Sequence, residues 1–458
     1  MELKNKRVLV VGLGKSGMAA ALFLRDQGAR VTVSDTRSAV ALQAEIPTLL
    51  DAGIMIETGG HGLLTFRRQD LIVVSPGVPF DTPELKQVRA YGSLGPPIIG
   101  ELELASRFLE GKVVAITGSN GKTTATALLG KIFADAGGPT LVGGNIGTPV
   151  IDLIPQSTPE TVSVLEVSSF QLETVEEFHP HIAVVLNITP DHLDRHGTFE
   201  NYAAMKARIT ARQGPEDFLV LNAEDPPTQL VAARTRAQVF WFSGRRPIKQ
   251  GAFVHGESVL FIPREGTRPE PILPVAEISL KGAHNVENVL AAVCAARLGG
   301  VPAESIRASV ANFKAVEHRL EYVATVRGVE YYNDSKATNV DATRKALEAF
   351  KGGVHLILGG KDKNSDYTEL NDLLRERCKS VATIGSAAEK IEHQLAGVVK
   401  IVSAGTLDAA LRTAAQDAVA GDVVLLAPAC SSFDQFENYE QRGRVFKDLV
   451  RQLLAVSS

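Results

Sequence analysis

The sequence predicts an α/β protein of three domains, each built on a sheet covered by helices, and three observations carry that reading. Short β-branched runs alternate with helical patterns from end to end, as parallel sheets buried on both faces require. The 458 residues hold about three times the ~150 that one hydrophobic core usually organises. Fresh strand series open at Arg7–Val11, at Lys112–Thr117, and at Glu330–Tyr332 followed by Val354–Leu358. Boundaries are therefore expected near Leu104–Gly111 and Phe313–His318, giving domains over residues 1–106, 107–314 and 315–458. Inside the middle one, the Gly- and Pro-containing stretch Ser243–Ile278 reads as a small antiparallel excursion before a helix resumes at Gly282.

Composition narrows the function classes. Lys and Arg number 48 against 52 Asp and Glu, a formal charge of −4, which argues against nucleic-acid binding and against a polybasic membrane surface. Any anionic ligand must then be met by local positive charge. No uncharged apolar run approaches the ~20 residues of a membrane span, and Met1–Arg7 leads straight into a strand pattern without a signal-peptide core. Cys294, Cys378 and Cys430 stand apart in apolar settings, so neither a disulfide framework nor a CxxC metal site is expected. A cytoplasmic protein without membrane insertion fits these features.

The first domain opens with Arg7–Val11, then Gly12-Leu-Gly14-Lys15-Ser16-Gly17, a helix, and Val31-Thr-Val-Ser-Asp35. A strand, GxGxxG at a helix start and an acid about 20 residues on form the dinucleotide-type fingerprint. Bare backbone at the helix N-terminus receives phosphate, and the carboxylate takes a hydroxyl or NH. The competing reading is a tight turn whose glycines serve only packing. A second turn, Ser75-Pro76-Gly77, can line the same cleft or be a plain turn.

The middle domain opens with Val113–Thr117, then Gly118-Ser119-Asn120-Gly121-Lys122-Thr123-Thr124 and a helix over Ala125–Ala136. This is a shortened phosphate-cradling loop, because GxxxxGK[ST] would need its first glycine at Ile116. Its amides surround a polyphosphate, Lys122 reaches the terminal oxygens, and the Thr123 hydroxyl can bind Mg²⁺. Two more strand ends point to the same place: Val162–Phe170 with its one carboxylate, Glu166, and Ile182–Ile188 followed by Asp191-His192. Lys206 lies in a helix expected over Thr198–Thr210, on the stripe shared by Phe199, Ala203 and Ile209. It either snorkels to solvent or is desolvated and partly neutral, nucleophilic enough to take up CO₂; periodicity does not choose.

Taken together, TGSNGKTT from Thr117, Gly144-Asn145-Ile-Gly147, Leu165–Glu173, Asn187–Arg195, Gly282–Asn288, His318-Arg319 and Asn333–Asn339 resemble the Mur ligases of peptidoglycan synthesis. Leu165–Glu173, Asn333–Asn339 and Pro428–Gly443 most resemble the family's members that add D-glutamate, and no DNPR-like segment, which marks the addition of a diamino acid, is found. The resemblance covers the whole chain. It implies a Rossmann-like N-terminal domain holding a UDP-sugar substrate, a central ATPase-type domain and a Rossmann-like C-terminal domain receiving the amino acid.

Residue by residue, it implies Lys15, Ser16, Asp35, Thr36, Gly77, Asn145 and His192 for UDP-N-acetylmuramoyl-L-alanine. ATP would be held by Gly118, Ser119, Asn120, Gly121, Lys122, Thr123 and Thr124, with Asn285, Asn288, Arg319 and Asp334 at adenine and ribose. Two Mg²⁺ ions would be served by Thr123, Glu166, His192 and Lys206, the lysine carrying a carbamate, and Lys122, Glu166, His192 and Lys206 would form the catalytic set. D-glutamate would meet Lys336, Thr338, Lys363, Ser432, Phe433 and Tyr439. Asn364 departs from the family, which commonly has Gly after the Gly359–Lys363 segment. The implied reaction activates a carboxylate as an acyl phosphate and forms an amide, with closure of the C-terminal domain excluding water; the expected state is a monomer. Three alternatives remain: an NAD dehydrogenase resting on the fingerprint, a nucleotide-dependent switch resting on the phosphate loop, and a neighbouring Mur-type or folylpolyglutamate-type amide ligase.

Overall fold

A computed structural model describes residues 1–280, 282–314 and 316–457, so the boundary expected at Phe313–His318 falls partly outside the described residues at Ala315. The chain separates into two compact units, Met1–Leu273 with Leu290–Ser309, and Pro274–Val289 with Val310–Ser458. The first unit carries two sheets and the second carries one.

The first sheet contains β1 (Arg7–Val11), β2 (Arg30–Asp35), β3 (Met55–Thr58), β4 (Leu71–Val74) and β5 (Ile98–Gly100), ordered β3-β2-β1-β4-β5 and parallel throughout. Val8–Val11 and Leu71–Val74 are buried, as expected of strands covered on both faces. Strand order reverses between β1 and β4, so a crevice opens beyond their carboxyl ends. Those ends carry the Gly12 and Ser75 turns.

The second sheet contains β6 (Lys112–Thr117), β7 (Thr140–Gly144), β8 (Val162–Glu166), β9 (Ile182–Val185), β10 (Phe218–Asn222), β11 (Gln238–Ser243), β12 (Gly251–His255), β13 (Ser258–Ile262) and β14 (Glu270–Pro274). Their order is β14-β13-β12-β11-β10-β9-β6-β8-β7, so β6 lies between β8 and β9. Its switch point places the ends of those three strands together. The expected antiparallel excursion is the far edge of this same sheet: β12 pairs parallel with β11 and antiparallel with β13. Gly251, at φ +122°, permits the join, because a Cβ there would stand 1.9 Å from the Trp241 carbonyl oxygen.

Between these sheets runs the helix Glu101–Ser106, whose acids act as struts. Glu103 accepts from the Glu176 and Phe178 amides at 2.8 and 3.0 Å and from Arg107 Nε at 2.8 Å. Glu101 Oε1 accepts from the Ile151 amide at 2.9 Å, while Oε2 is buried without a partner. Burial pushes the Glu101 carboxyl up to about 7 against the amides at Ile151 and Val150, with Asp152 adding to the rise. A raised folded pKa means that the bound proton stabilises the fold below about pH 4.5, and this contribution is lost as pH rises through about 7. Urea unfolding should therefore show Glu101→Gln gaining on the wild type by on the order of a few kcal/mol between those limits. A pH-independent difference would contradict the assignment.

The third sheet contains β15 (Glu321–Val326), β16 (Val329–Asn333), β17 (Val354–Gly359), β18 (Cys378–Ile384), β19 (Lys400–Gly405) and β20 (Val423–Leu426), ordered β15-β16-β20-β17-β18-β19. Only β15 runs antiparallel to its neighbour. Among the described residues, no helix is long and apolar enough to cross a membrane.

Candidate active site

The fingerprint glycines divide their work. A Cβ at Gly17 would lie 1.9 Å from the Gly12 carbonyl oxygen, and one at Gly12, at φ +87°, would lie 2.6 Å from Val78 Cγ2. Those two are steric necessities. A Cβ at Gly14 would meet nothing within 4 Å, so this position leaves the backbone open to a ligand. Lys15 and Ser16 begin the following helix, the lysine exposed and the serine half-buried. Asp35 ends β2 and is buried; its carboxylate accepts from the Leu13 amide at 2.7 Å and from Arg37 Nε and Nη2 at 3.1 and 2.9 Å. Burial opposes its ionisation, but the Arg37 contacts and the Leu13 amide outweigh it and hold the carboxyl below its ordinary range. Arg37 was not anticipated, although an arginine two residues after the fingerprint acid is the signal that would have found it. Thr36 and Gly77 lie at the carboxyl ends of β2 and β4.

The phosphate loop follows β6, and its helix starts at Lys122, three residues before the expected Ala125. Gly121 at φ +85° is the N-cap, a conformation that leaves the first-turn amides pointing outward without a side-chain cap. Lys122 Nζ folds over the loop, donating to the Gly118 and Ser119 carbonyl oxygens at 2.7 and 2.8 Å. Neighbouring elements hold the remainder. The Asn120 amide donates to Asn187 Oδ1 at 2.9 Å, and the Ser119 hydroxyl meets the Thr189 carbonyl at 2.9 Å and the Tyr202 hydroxyl at 3.0 Å. Thr124 is buried in the first helical turn.

Glu166, at the end of β8, is almost fully buried and accepts from the Thr123 hydroxyl and from Asn145 Nδ2, both at 2.8 Å. Asn145 reaches it because Gly144 passes against β8, where a Cβ would stand 2.3 Å from the Glu166 carbonyl oxygen. β9 ends at Val185, three residues short of the expected Ile188, and the chain turns through Asp191 to His192. His192 has φ +53° and caps the helix Leu193–His196; its ring lies edge-on to Phe170, centroids 4.8 Å apart. Among the described residues no three of His, Cys, Asp and Glu converge as a metal cluster. The hydroxyl of Thr123 beside the Glu166 carboxylate is nevertheless a hard-oxygen pair of the kind that binds Mg²⁺ together with phosphate oxygens and water.

Lys206 settles the choice that periodicity left open. Its helix runs over Phe199–Ala207 from a Thr198 N-cap and tightens into a 3₁₀ turn at Arg208–Thr210, and Lys206 is 1% exposed. It does not snorkel. Nζ donates to the Gly118 carbonyl at 2.8 Å, the oxygen that Lys122 also uses, and lies 4.6 Å from the centre of the Tyr202 ring. Burial, reinforced by the Lys122 charge, drives the amine well below its ordinary pKa, with Asp191 and Glu166 opposing. Tyr202 itself was missed, although it precedes Lys206 by one helical turn.

In the second unit the amino-acid candidates gather beyond β16, β17 and β20. Lys336 Nζ sits 3.9 Å over the Tyr439 ring. The Gly359–Asn364 loop is bound to Ser431 through Lys361, whose amide donates to the Ser431 carbonyl at 2.8 Å; this brings Lys363 and the Ser432–Phe433 pair onto neighbouring loops. Asn364 takes φ +62°, the left-handed conformation that the family's glycine adopts freely and asparagine tolerates. The departure therefore keeps the turn. Buried Arg442, also missed, ties two of the loops: Nε donates to Ser335 Oγ at 3.0 Å, and Nη2 to the Ser335 and Cys430 carbonyls at 2.8 and 3.1 Å. Thr338 is half-buried in the loop after β16, Ser432 is buried, and Phe433 is exposed. In the same unit Asn288 Nδ2 donates to Asn285 Oδ1 at 3.1 Å. Asp334 is buried beside Arg319, and desolvation pushes its carboxyl up to about 6.

Family models match in three consecutive blocks: the Mur ligase MurD-like N-terminal domain over residues 6–100, the Mur ligase middle domain over 116–296 and the Mur ligase glutamate ligase domain over 318–430. The chain belongs to the Mur ligase family. A relative from Acidobacterium capsulatum, named "UDP-N-acetylmuramoylalanine--D-glutamate ligase", is 67% identical over 98% of this chain and 97% of its own. A Koribacter versatilis relative of the same name is 62% identical over 99% of both. Among solved structures, a pseudomurein peptide ligase type C from Methanothermus fervidus superposes with TM-score 0.61 at 20% identity, over 98% of this chain and 100% of that one. MurF ligase from Thermotoga maritima, solved with ADP, gives 0.60 at 18% identity, over 98% and 96%. At such identities the structures show that this Mur ligase shares the fold.

Proposed function

We propose that this Mur ligase joins D-glutamate to UDP-N-acetylmuramoyl-L-alanine at the expense of ATP, in peptidoglycan precursor synthesis. The observation that carries the reading is end-to-end identity of 67% and 62% with two relatives bearing that name. The site's chemistry supports it. An oxygen of the alanyl carboxylate attacks the γ-phosphorus of ATP, ADP leaves, and the amine of D-glutamate attacks the resulting acyl phosphate; the C–N bond forms as phosphate departs. A carboxylate approaching a polyanion needs positive charge. Lys122 supplies it by leaving its loop carbonyls for the phosphate oxygens, and the outward amides of the Gly121-capped helix add their dipoles.

Mg²⁺, two ions in this proposal, would be held by Thr123 and Glu166, with His192 and a carbamate on Lys206 completing the set; bound there it supplies Lewis-acid neutralisation of the phosphates. A neutral amine is what CO₂ requires, and the burial of Lys206 shifts the amine in that direction. The Gly14 opening, the Asp35 pocket and the Gly77 turn would take the UDP-sugar. Asn285, Asn288, Arg319 and Asp334 would take adenosine. Lys336, Thr338 and Lys363 would take D-glutamate, whose two carboxylates call for cations.

Lys363→Ala and Thr338→Ala are each expected to raise the D-glutamate KM about tenfold while leaving the KM values for ATP and the UDP-sugar within about twofold, since a ground-state carboxylate contact is lost. Loss of UDP-sugar affinity instead would mean that these loops serve another ligand. The reading as a whole is tested by phosphate release from ATP with UDP-N-acetylmuramoyl-L-alanine, screened across D- and L-amino acids. It requires D-glutamate to stand alone; release independent of the amino acid would return the nucleotide switch.

A further inference from the structure

Arg195 belongs to none of the groups just assigned, yet its contacts link the turn that carries Gly77 to the segment that carries His192. It sits on the helix Leu193–His196 that His192 caps, and its side chain is only 15% exposed. Nη2 and Nε meet Glu173 Oε2 and Oε1 at 2.6 and 3.3 Å, and Nη2 also donates to the Val78 carbonyl at 3.0 Å. The guanidinium lies 4.9 Å from the centre of the Phe170 ring, against which the His192 ring also stands edge-on at 4.8 Å and the His196 ring stacks at 5.5 Å. His196 is pinned in turn, its Nε2 3.0 Å from Ser169 Oγ.

At its far end this strut reaches the fingerprint. Val78 closes the Ser75–Val78 turn, its amide donating to the Ser75 carbonyl at 2.9 Å, and its side chain lies where a Cβ on Gly12 would go. Ser75 Oγ donates to the Gly12 carbonyl at 2.7 Å. One continuous chain of contacts therefore runs from Gly12 through Ser75 and Val78 to Arg195, and through Phe170 to His192. A planar guanidinium suits such a junction because it serves a carboxylate, a carbonyl and an aromatic face together, which an ammonium cannot.

We infer that Arg195 is a positioning residue for the UDP-sugar: it holds the Ser75–Val78 turn of the first sheet in register with His192 on the second, so that both ends of that one substrate are met at a fixed separation. The inference rests on the reading of Gly77 and His192 as parts of the UDP-sugar site. Removing the strut loosens the relation between the two sheets' loops without touching the phosphate loop.

The test uses Arg195→Ala, Arg195→Lys and Glu173→Gln in the full chain, with thermal melting to establish folding. Arg195→Ala is expected to raise both the KM and the calorimetric dissociation constant for UDP-N-acetylmuramoyl-L-alanine about tenfold, with the ATP KM within about twofold. Arg195→Lys should recover little, and Glu173→Gln should show a smaller loss of the same kind. Without ligand, amide exchange should quicken at residues 75–78 and 169–173 and stay unchanged at 118–124. Unchanged UDP-sugar affinity in folded Arg195→Ala, or equal rises for both nucleotides, overturns the inference, as does full recovery by lysine. A wild type that binds the UDP-sugar but turns nothing over would sink the ligase reading alone, and the binding and exchange results would still decide Arg195. Failure of the wild type to bind it would sink both.

Discussion

Lys206→Arg is expected to eliminate turnover, by at least about 10²–10³, while leaving the helix and UDP-sugar binding intact. The wild-type amine is enclosed, shares the Gly118 carbonyl with Lys122 and is driven toward neutrality by burial. Arginine reverses each of these conditions. Its guanidinium stays charged at any relevant pH, takes up no CO₂, binds no Mg²⁺, and crowds a second permanent cation against Lys122. Lys206→Ala should fail similarly by removing the amine on which the proposed carbamate would form, and small carboxylic acids should restore part of its activity by supplying oxygens to the vacated space. Full activity in Lys206→Arg would reduce the residue to a structural filler beneath Tyr202. Steady-state phosphate release, with circular dichroism as the control for folding, decides the matter.

Lys122→Ala carries the second large effect, a loss of about 10²–10³ in the phosphoryl-transfer step. The lysine is the first residue of its helix and already arches over the loop on two carbonyl oxygens, so exchanging them for phosphate oxygens needs side-chain rotation and no backbone change. Its loss removes a fixed cation from the charge that develops as the γ-phosphoryl leaves ADP. UDP-sugar binding should persist, since Lys122 is not among the residues proposed to hold that substrate. Exchange of label between ADP and ATP, dependent on the UDP-sugar and measured without D-glutamate, isolates the first half-reaction. It should collapse in Lys122→Ala, whereas wild-type exchange there would remove the phosphate loop from the chemistry.

How far these sites could be read in advance follows from the range of the interactions that make them. Glycine spacing, a lysine after a short loop and an acid at a strand end are local statements, and Gly12, Gly17, Gly121, Lys122 and Glu166 stand where local reading put them. The antiparallel stretch was visible too, but its attachment to β11 depends on Gly251 meeting Trp241, a contact between strands. Whether Lys206 snorkels turns on Gly118, 88 residues away, and on how the phosphate loop closes over it. Arg37, Arg195 and Arg442 were passed over for a shared reason. An arginine in sequence is most often a solvated charge, and Arg195 and Arg442 are distinguished by distant acceptors, such as Val78 O for Arg195 at 117 positions' separation, whereas Arg37 meets Asp35 only two residues away. Asn364 shows the converse. It departs from the family's glycine, and its φ of +62°, which asparagine tolerates, could be read only from the structure.

The central claim is the identity of the bond formed, and product analysis tests it most directly. The purified chain is incubated with ATP, Mg²⁺ and UDP-N-acetylmuramoyl-L-alanine together with either D- or L-glutamate, and the nucleotide-sugar product is weighed by mass spectrometry beside the phosphate released. The account predicts a product heavier by one glutamyl residue with D-glutamate, one phosphate per product, and no such product with L-glutamate. Phosphate release without that mass gain, or equal product from both enantiomers, would contradict it.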